Sequence, residues 1–488
     1  MATIAPFAEK SNVTLTPDKT RTILRPFIPR NEAQIVNIIS RVMALPESSV
    51  TKELNKVLND FLLRHENIET VFLEHYALVQ QYLFTDLQPA REKQLLIGSC
   101  FSSEYTFESA ALFNPSIVPH PDQSNLPPGS LRFIMSLRAT GEGHISSLTF
   151  RTGTIGQNNS IVIDNPGKFA VPAFHVQNPL YDKRTFHRKL LEMGLENDFT
   201  ACVMDLLKDS FAFLELTESL KEVSFSCDRK KLQADAFTSD KIQWLALSNY
   251  ETELPSAKQL SDLVIFPASP AEQNGIEDAR FVLFTDDDGT KTYYATYTAY
   301  DGKVILPQLL ETKDFSHIKM ITLNGKAVEN KGMALFPRKI NGKYAMISRQ
   351  DNENLFLMYS DNIHFWHETH LIMKPAHTWE FIQVGNCGSP IETDAGWIVL
   401  THGVGPVRRY CISAILLDKE DPRRVIGRLK EPLVIPGEAE MSGYVPNVVY
   451  TCGAFIHNQN LVLPYAMSDR TTTVAIIGLK KLLDELKG

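Results

Sequence analysis

Glu277-Asp278-Ala279-Arg280 runs straight into the apolar stretch Phe281–Phe284. Two carboxyls beside a guanidinium at a strand entry can hold one carboxyl in a tuned state suited to proton transfer, and Asp278 is the candidate acid. The same string also reads as a turn capped by Asp278 with a surface Glu277–Arg280 pair. Arg338, Lys339 and Arg349 fall on the two sides of a hairpin signalled by Asn341-Gly342. With His402 they can clasp an oxyanion, because arginine presents a fork of donors that fits phosphate. Neighbouring strand residues face opposite sides, so one of Arg338 and Lys339 faces such a site, and Arg338 is preferred. His402 also reads as a hydrogen-bonded structural histidine. Glu420-Asp421-Pro422-Arg423 repeats the acidic pattern after Ile412–Leu417, but Asp-Pro there marks a turn. Phosphate loops, dinucleotide-binding glycine patterns and a Gly-x-Ser-x-Gly elbow are all missing from the sequence.

The elements that must hold these residues change in kind along the chain. Ile35, Ile38, Ile39, Val42 and Leu45 follow helical spacing up to Pro46. Two further stripes, from Val50 to Leu62 and from Ile68 to Leu83, predict a helical module over residues 1–90, with a break near Thr85–Arg91. From about Phe113 short runs of Val, Ile, Tyr and Phe alternate with Gly, Asp and Asn, which is strand and hairpin texture. A helical stretch at about 185–223 interrupts it, and Leu479–Leu486 predicts a closing helix.

A weak repeat organises the β part, residues 91–488. Its units end at Arg138, Tyr300, Arg349, His402 and Asp469. Three of the four intervals fall near the roughly 40–50 residues of a four-stranded propeller blade. The longer first interval contains the helical insertion. The expected fold is therefore mainly β, a five-bladed β-propeller with an N-terminal helical module and a helical insertion. A β-sandwich with irregular hairpins is the alternative. In a propeller the five end residues gather around one axis, and such a polar set suits a polar ligand.

The chain has 488 residues, 49 Lys+Arg against 57 Asp+Glu, and 43% apolar residues. That is ample for a folded core, and the net charge of −8 argues against general nucleic-acid binding. No apolar run reaches the roughly 18 residues of a membrane helix, and no secretory pattern opens the sequence. The six cysteines are scattered without a CxxC pair, as expected for reduced packing thiols in a cytoplasmic protein.

The strings GIEDAR, TYYATYTAY, LFPRKINGKYAMISR, SDNIHFW, GSPIETDAGWIVLTHG, ILLDKEDPRRVIGR and VPNVVYTCGA, taken in order, resemble glycoside hydrolase family 130. The likeness runs from about Asn114 to Asp469. That family holds β-mannoside phosphorylases and β-mannosidases on a five-bladed propeller. The resemblance implies that Asp278 is the acid, with Ala279 in place of the usual proline. It implies indirect protonation of the glycosidic oxygen through the mannose 3-hydroxyl, and attack by phosphate to give α-mannose 1-phosphate with inversion. It implies phosphate held by Arg338, Arg349 and His402, and mannose held by Asn114, Arg138 and Asp469, to which Tyr300 is added as the end of the second unit. An inverting hydrolase instead needs a second carboxylate as base, for which Glu353 and Glu392 are the nearest candidates. A glycan-binding propeller without turnover is the third reading. The expected partners are a β-mannoside or mannooligosaccharide and inorganic phosphate as co-substrate, with no metal or other cofactor. Nucleic acid and membrane are not expected, and the helical module offers a contact for a homo-oligomer.

Overall fold

A computed structural model describes residues 3–84, 88–176, 179–226, 232–255, 258–302, 305–441 and 443–488. The chain is mainly β. Its sheets are built from antiparallel meanders, taken here in chain order. The first runs through Ala111–Pro119, Leu131–Thr140, Ser146–Ile155 and Ile161–Ile163. The second runs through Gly275–Thr285, Lys291–Tyr300, Ile305–Thr312 and His317–Thr322. A parallel contact of Gly275 with Ser146 helps to join these two into one 12-stranded sheet. The third comprises Ala334–Leu335, Tyr344–Ser348, Leu355–Ser360 and Glu368–Met373. The fourth centres on Gly396–Gly405 and Arg409–Leu417, and the fifth on Asn460–Met467 and Thr471–Gly478.

Both faces of these strands are buried, and each face serves a different neighbour. Phe281 packs with Phe150 of the first meander, whereas Val282 and Phe284 pack with Met333 and Leu335 of the third. Ile347 and Leu357 of the third meet Val399 and Ile415 of the fourth. Leu400 and Ile412 of the fourth meet Leu463 and Ala475 of the fifth. Val462 and Val474 of the fifth return to Met135 and Leu137 of the first. The apolar layers therefore run round in a cycle. Each fully buried Leu, Ile, Val or Phe contributes roughly 1.5–3 kcal/mol to it.

The N-terminal segment departs from the helical expectation. Ala8–Leu15 is a strand paired with Thr471–Gly478, and Thr3–Ile4 pairs with Val434–Ile435. The segment is rich in polar residues, and what makes it a strand is a distant partner, which local spacing cannot show. Helices Glu32–Met43, Glu47–Phe61 and Ile68–Val79 follow the expected stripes, with Asn31 accepting from the Ala33 amide as a cap. The expected break lies partly outside the described residues. Beyond it a fourth helix, Arg91–Cys100, extends the module past residue 90. Its Gly98 lets the helices touch, since a Cβ there would lie 1.8 Å from the Phe72 carbonyl oxygen. The helical insertion is also longer than expected, spanning Lys183–Glu192, Asp198–Leu206, Phe213–Ser226 and Leu232–Leu247. The last of these has apolar residues on all sides, with Asp235, Asp240 and Lys241 scattered among them, so its periodicity is weak.

Candidate active site

Two β-bulges build the centre of the site. In Gly275–Thr285 the register shifts between Glu277 and Arg280, which turns Asp278 out of the ladder at φ 54°. In Ala111–Pro119 it shifts between Phe113 and Ser116, and Asn114 adopts φ 48°. A bulge leaves its extra residue unpaired and re-aims the side chain. Here the two re-aimed side chains meet, with Asn114 Nδ2 donating to Asp278 Oδ1 at 2.8 Å. The Phe281 amide donates to Ser116 Oγ at 3.0 Å and ties the two strands together beneath them.

Arg138 rises from Leu131–Thr140. It bonds Glu277 Oε1 at 2.8 Å and lies 3.5 Å from Asp278 Oδ1. Ser146 Oγ accepts from its Nε at 2.8 Å. Arg280 runs under the site and donates to the Asp278 carbonyl and the Tyr450 hydroxyl, each at 2.9 Å. Asp469 sits in the turn after Asn460–Met467 at φ 48°. Non-glycine residues in the left-handed region cost energy and concentrate at functional sites. Six of them line this one cavity: Asn114, Asp278, Val407, Arg408, Asn447 and Asp469.

The other side of the cavity is basic. Arg349 is buried, donates from Nε to the Lys331 carbonyl at 3.1 Å, and points Nη1 at His402 Nε2, 3.3 Å away. A guanidinium only donates, so His402 Nε2 accepts, and the remaining proton sits on Nδ1. Gly385 makes this approach possible, because a Cβ there would lie 2.5 Å from His402 Cε1 and 3.0 Å from Arg349 Cδ. Tyr410 stacks on His402 at 5.9 Å between ring centroids, and Arg408 donates to the Tyr410 hydroxyl at 3.0 Å. The whole cavity measures about 490 Å³.

Its electrostatics separate the two acids. Burial pushes the Asp278 carboxyl up, but Arg138, Arg280, Lys331 and the Asn114 amide outweigh it and hold it down at about 2. Burial pushes Asp469 up to about 7, with Asp278 and Glu277 adding to the rise and Arg138 and Lys331 opposing it. Burial, then Arg349 and Arg280, force His402 well below its ordinary value, so the imidazole is neutral at pH 7.

Of the residues singled out from sequence, Asn114, Arg138, Asp278, Arg349, His402 and Asp469 line this cavity. Two others stand elsewhere. Arg338 lies in a bend beyond strand Ala334–Leu335, where Glu392 grips it by two bonds of 2.9 Å and it lies over the Trp397 ring. It faces a different cavity, lined also by Phe281 and Phe455. Tyr300 pairs with Gly275 at the strand end, and its hydroxyl donates to the Gly302 carbonyl instead of entering the site. The candidate bases are displaced as well: Glu392 is held by Arg338 and Lys419, and Glu353 is exposed in a turn. Lys331 takes the place expected of Arg338. It lies 3.6 Å from Glu277 and lines the cavity. Lys331 sits in Glu329-Asn330-Lys331-Gly332, a loop with no repeat signal. Its one sequence cue is the glycine, where a Cβ would lie 2.8 Å from Arg349 Nε. Cys227 lies outside the described residues, and the five described cysteines are free. Among the described residues no helix is long and apolar enough to cross a membrane.

With this geometry in hand, the comparisons with known proteins are specific. The family model for glycoside hydrolase family 130, described as beta-1,4-mannooligosaccharide phosphorylase, matches residues 253–488. A 1,2-beta-oligomannan phosphorylase of Thermoanaerobacter sp. is 36% identical over 219 residues, 43% of this chain and 71% of that protein. A beta-1,2-mannobiose phosphorylase of Listeria innocua is 30% identical over 230 residues, 46% of this chain and 63% of that protein. The chain belongs to glycoside hydrolase family 130. Among solved structures, that of the Listeria innocua beta-1,2-mannobiose phosphorylase with beta-1,2-mannobiose aligns over 78% of this chain and 93% of that one, with a TM-score of 0.47 and 21% identity.

Proposed function

We propose that the protein is an inverting β-mannoside phosphorylase on a five-bladed propeller. The cycle of apolar layers, in which the fifth meander packs back on the first, supports the propeller. Phosphorolysis is carried by the cationic half of the cavity. Among the described residues Arg349 pairs with no carboxylate, and it lines the cavity beside Lys331, His402 and Arg408. An anionic nucleophile needs cations that reduce repulsion and fix its line of attack, and it needs no base.

In this reading Asn114, Arg138 and Asp469 hold the mannose hydroxyls. Lys331 and Arg349 hold phosphate, and His402 orients Arg349. An ionised Asp278 has no proton to give. A phosphate dianion beside these cations offsets the field that holds Asp278 down, and so raises its affinity for a proton. Phosphate oxygen then bonds to the anomeric carbon as the glycosidic bond breaks. The departing oxygen takes its proton from the mannose 3-hydroxyl, which is resupplied by Asp278. The products are α-mannose 1-phosphate and the shortened sugar.

The test is a panel of β-linked mannobioses with and without inorganic phosphate. Phosphate-dependent α-mannose 1-phosphate is expected. Free mannose formed equally well without phosphate would make the protein a hydrolase and overturn the role given to Lys331 and Arg349.

A further inference from the structure

A second cavity, of about 220 Å³, lies where helix Lys183–Glu192 of the insertion meets strands Tyr250–Glu253 and His317–Thr322. Lys189 points into this junction and is only 2% exposed. Its ammonium donates to two neutral oxygens, Asn249 Oδ1 at 2.9 Å and Thr322 Oγ1 at 2.8 Å. That leaves one of its three N–H groups unused. Glu192, the acid nearest along the helix, is instead engaged by Arg188 and His367. His364 comes from a loop of the third meander and lines the same cavity, and its Nδ1 is buried with no hydrogen-bond partner. Lys319 lines the cavity too, 3.9 Å from Glu251.

A buried ammonium costs several kcal/mol unless an anion accompanies it. This cost is visible in both groups. Burial holds Lys189 down at about 7, and burial together with Lys189 holds His364 down at about 4. Two basic side chains from separate elements converge on one cavity, and among the described residues neither forms an ion pair, with Glu192 and Asp182 acting on them only from a distance. The acids that do line it are occupied: Asp182 accepts from the Thr185 amide at 2.8 Å, and Glu251 lies 2.7 Å from His317.

We propose that this cavity is a second ligand site, separate from the mannoside cavity, that binds a phosphoryl group between Lys189 and His364. A bound anion would favour the protonated forms of Lys189 and His364. The spare Lys189 N–H, His364 Nδ1 and the Lys319 ammonium then offer three donors, which favours phosphate with its several acceptor oxygens over a carboxylate. The source is free phosphate or a hexose phosphate, and for the hexose the rim carboxylates Asp182 and Glu251 would accept sugar hydroxyls.

Equilibrium dialysis of the full chain with radiolabelled inorganic phosphate, and separately with mannose 1-phosphate, counts the sites. Two per chain are expected in the wild type, one in Lys189→Met, one in Arg349→Met and none in the double variant. Saturation by inorganic phosphate would make the ligand the free anion, and saturation by the hexose phosphate alone would make it the ester; either supports the site. Equal counts in wild type and Lys189→Met overturn it. A count that falls with Lys189→Met but not with Arg349→Met upholds this site and instead refutes the phosphate role of Arg349. Met matches the lysine stem without its charge, and unfolding temperatures check the fold. His364→Phe, altered on the other wall, is expected to remove the same site.

Discussion

Asp278 and Asp469 share one cavity and titrate in opposite directions, so pH acts on each differently. Asp278 is held at about 2 against an ordinary 3.8. Its contribution to stability, roughly 2 kcal/mol, is present above pH 4 and lost as pH falls toward 2. Asp469 is raised to about 7 from 3.8, so between those values the folded chain binds a proton that the unfolded chain has released. Stability therefore falls as pH rises from about 4 to 7, by on the order of 4 kcal/mol. Asp469→Asn removes that cost and keeps a residue type that tolerates a left-handed backbone. Thermal unfolding is expected to show the variant more stable than wild type at pH 8, with the gap closing as pH falls to about 4, and mannoside turnover lost. A variant that melts lower at pH 8 would mean the Asp469 charge stabilises the fold. Asp278→Asn keeps the shape and removes the proton, so turnover is expected to fall about 10³-fold while mannose still binds by calorimetry. Arg138, Arg349, His402 and Asp469 were legible as ends of the repeated units, Asp278 through its acidic string beside Arg280, and Asn114 through the family resemblance alone. Arg338 lies in a different cavity, because sequence shows that a hairpin carries a cation but not which cavity the cation faces.

The elements position this chemistry through close approach. Arg349 and His402 lie on different meanders, and they touch because Gly385 has no side chain between them. Gly385→Ala drives a methyl into His402 Cε1 and Arg349 Cδ, so the pair must part. The Michaelis constant for phosphate is expected to rise at least about tenfold, with that for mannoside little changed. Equal loss for both substrates would mean that the strand itself had shifted. The bulges at Asn114 and Asp278 work the same way, by breaking a ladder to aim a side chain. The sequence shows the strands on either side of each bulge, because alternation and apolar runs are local. It does not show the extra residue, since a register shift exists only relative to a partner strand. The same limit hid the strand Ala8–Leu15, whose partner lies more than four hundred residues away.

That distant pairing decides how the whole molecule holds together. Ala8–Leu15 covers the edge strand Thr471–Gly478, and Phe7, Ala8, Val13 and Leu15 pack against the layers that join the fifth meander to the fourth and the first. Without this cover the sequence Thr-Thr-Thr-Val-Ala-Ile-Ile-Gly would present an open, β-prone edge. Such edges recruit other chains. Removing residues 1–15 is thus expected to act at long range. The four apolar side chains are partly buried and contribute about 1 kcal/mol or more each, which predicts a fall in unfolding temperature of at least about 5 °C. Light scattering is expected to show association that the full chain lacks at the same concentration. Asp469 stands in the turn that leads into the uncovered strand, so loosening there reaches the Asp469 side of the cavity, proposed to hold the sugar, before the Arg349 side, proposed to hold phosphate. Below the unfolding transition, the Michaelis constant for mannoside is therefore expected to rise while that for phosphate stays near the full-length value. A truncated chain that melts and turns over like the full chain would show that the ring closes through its packed layers alone. The N-terminal strand would then be a cover and not a clasp.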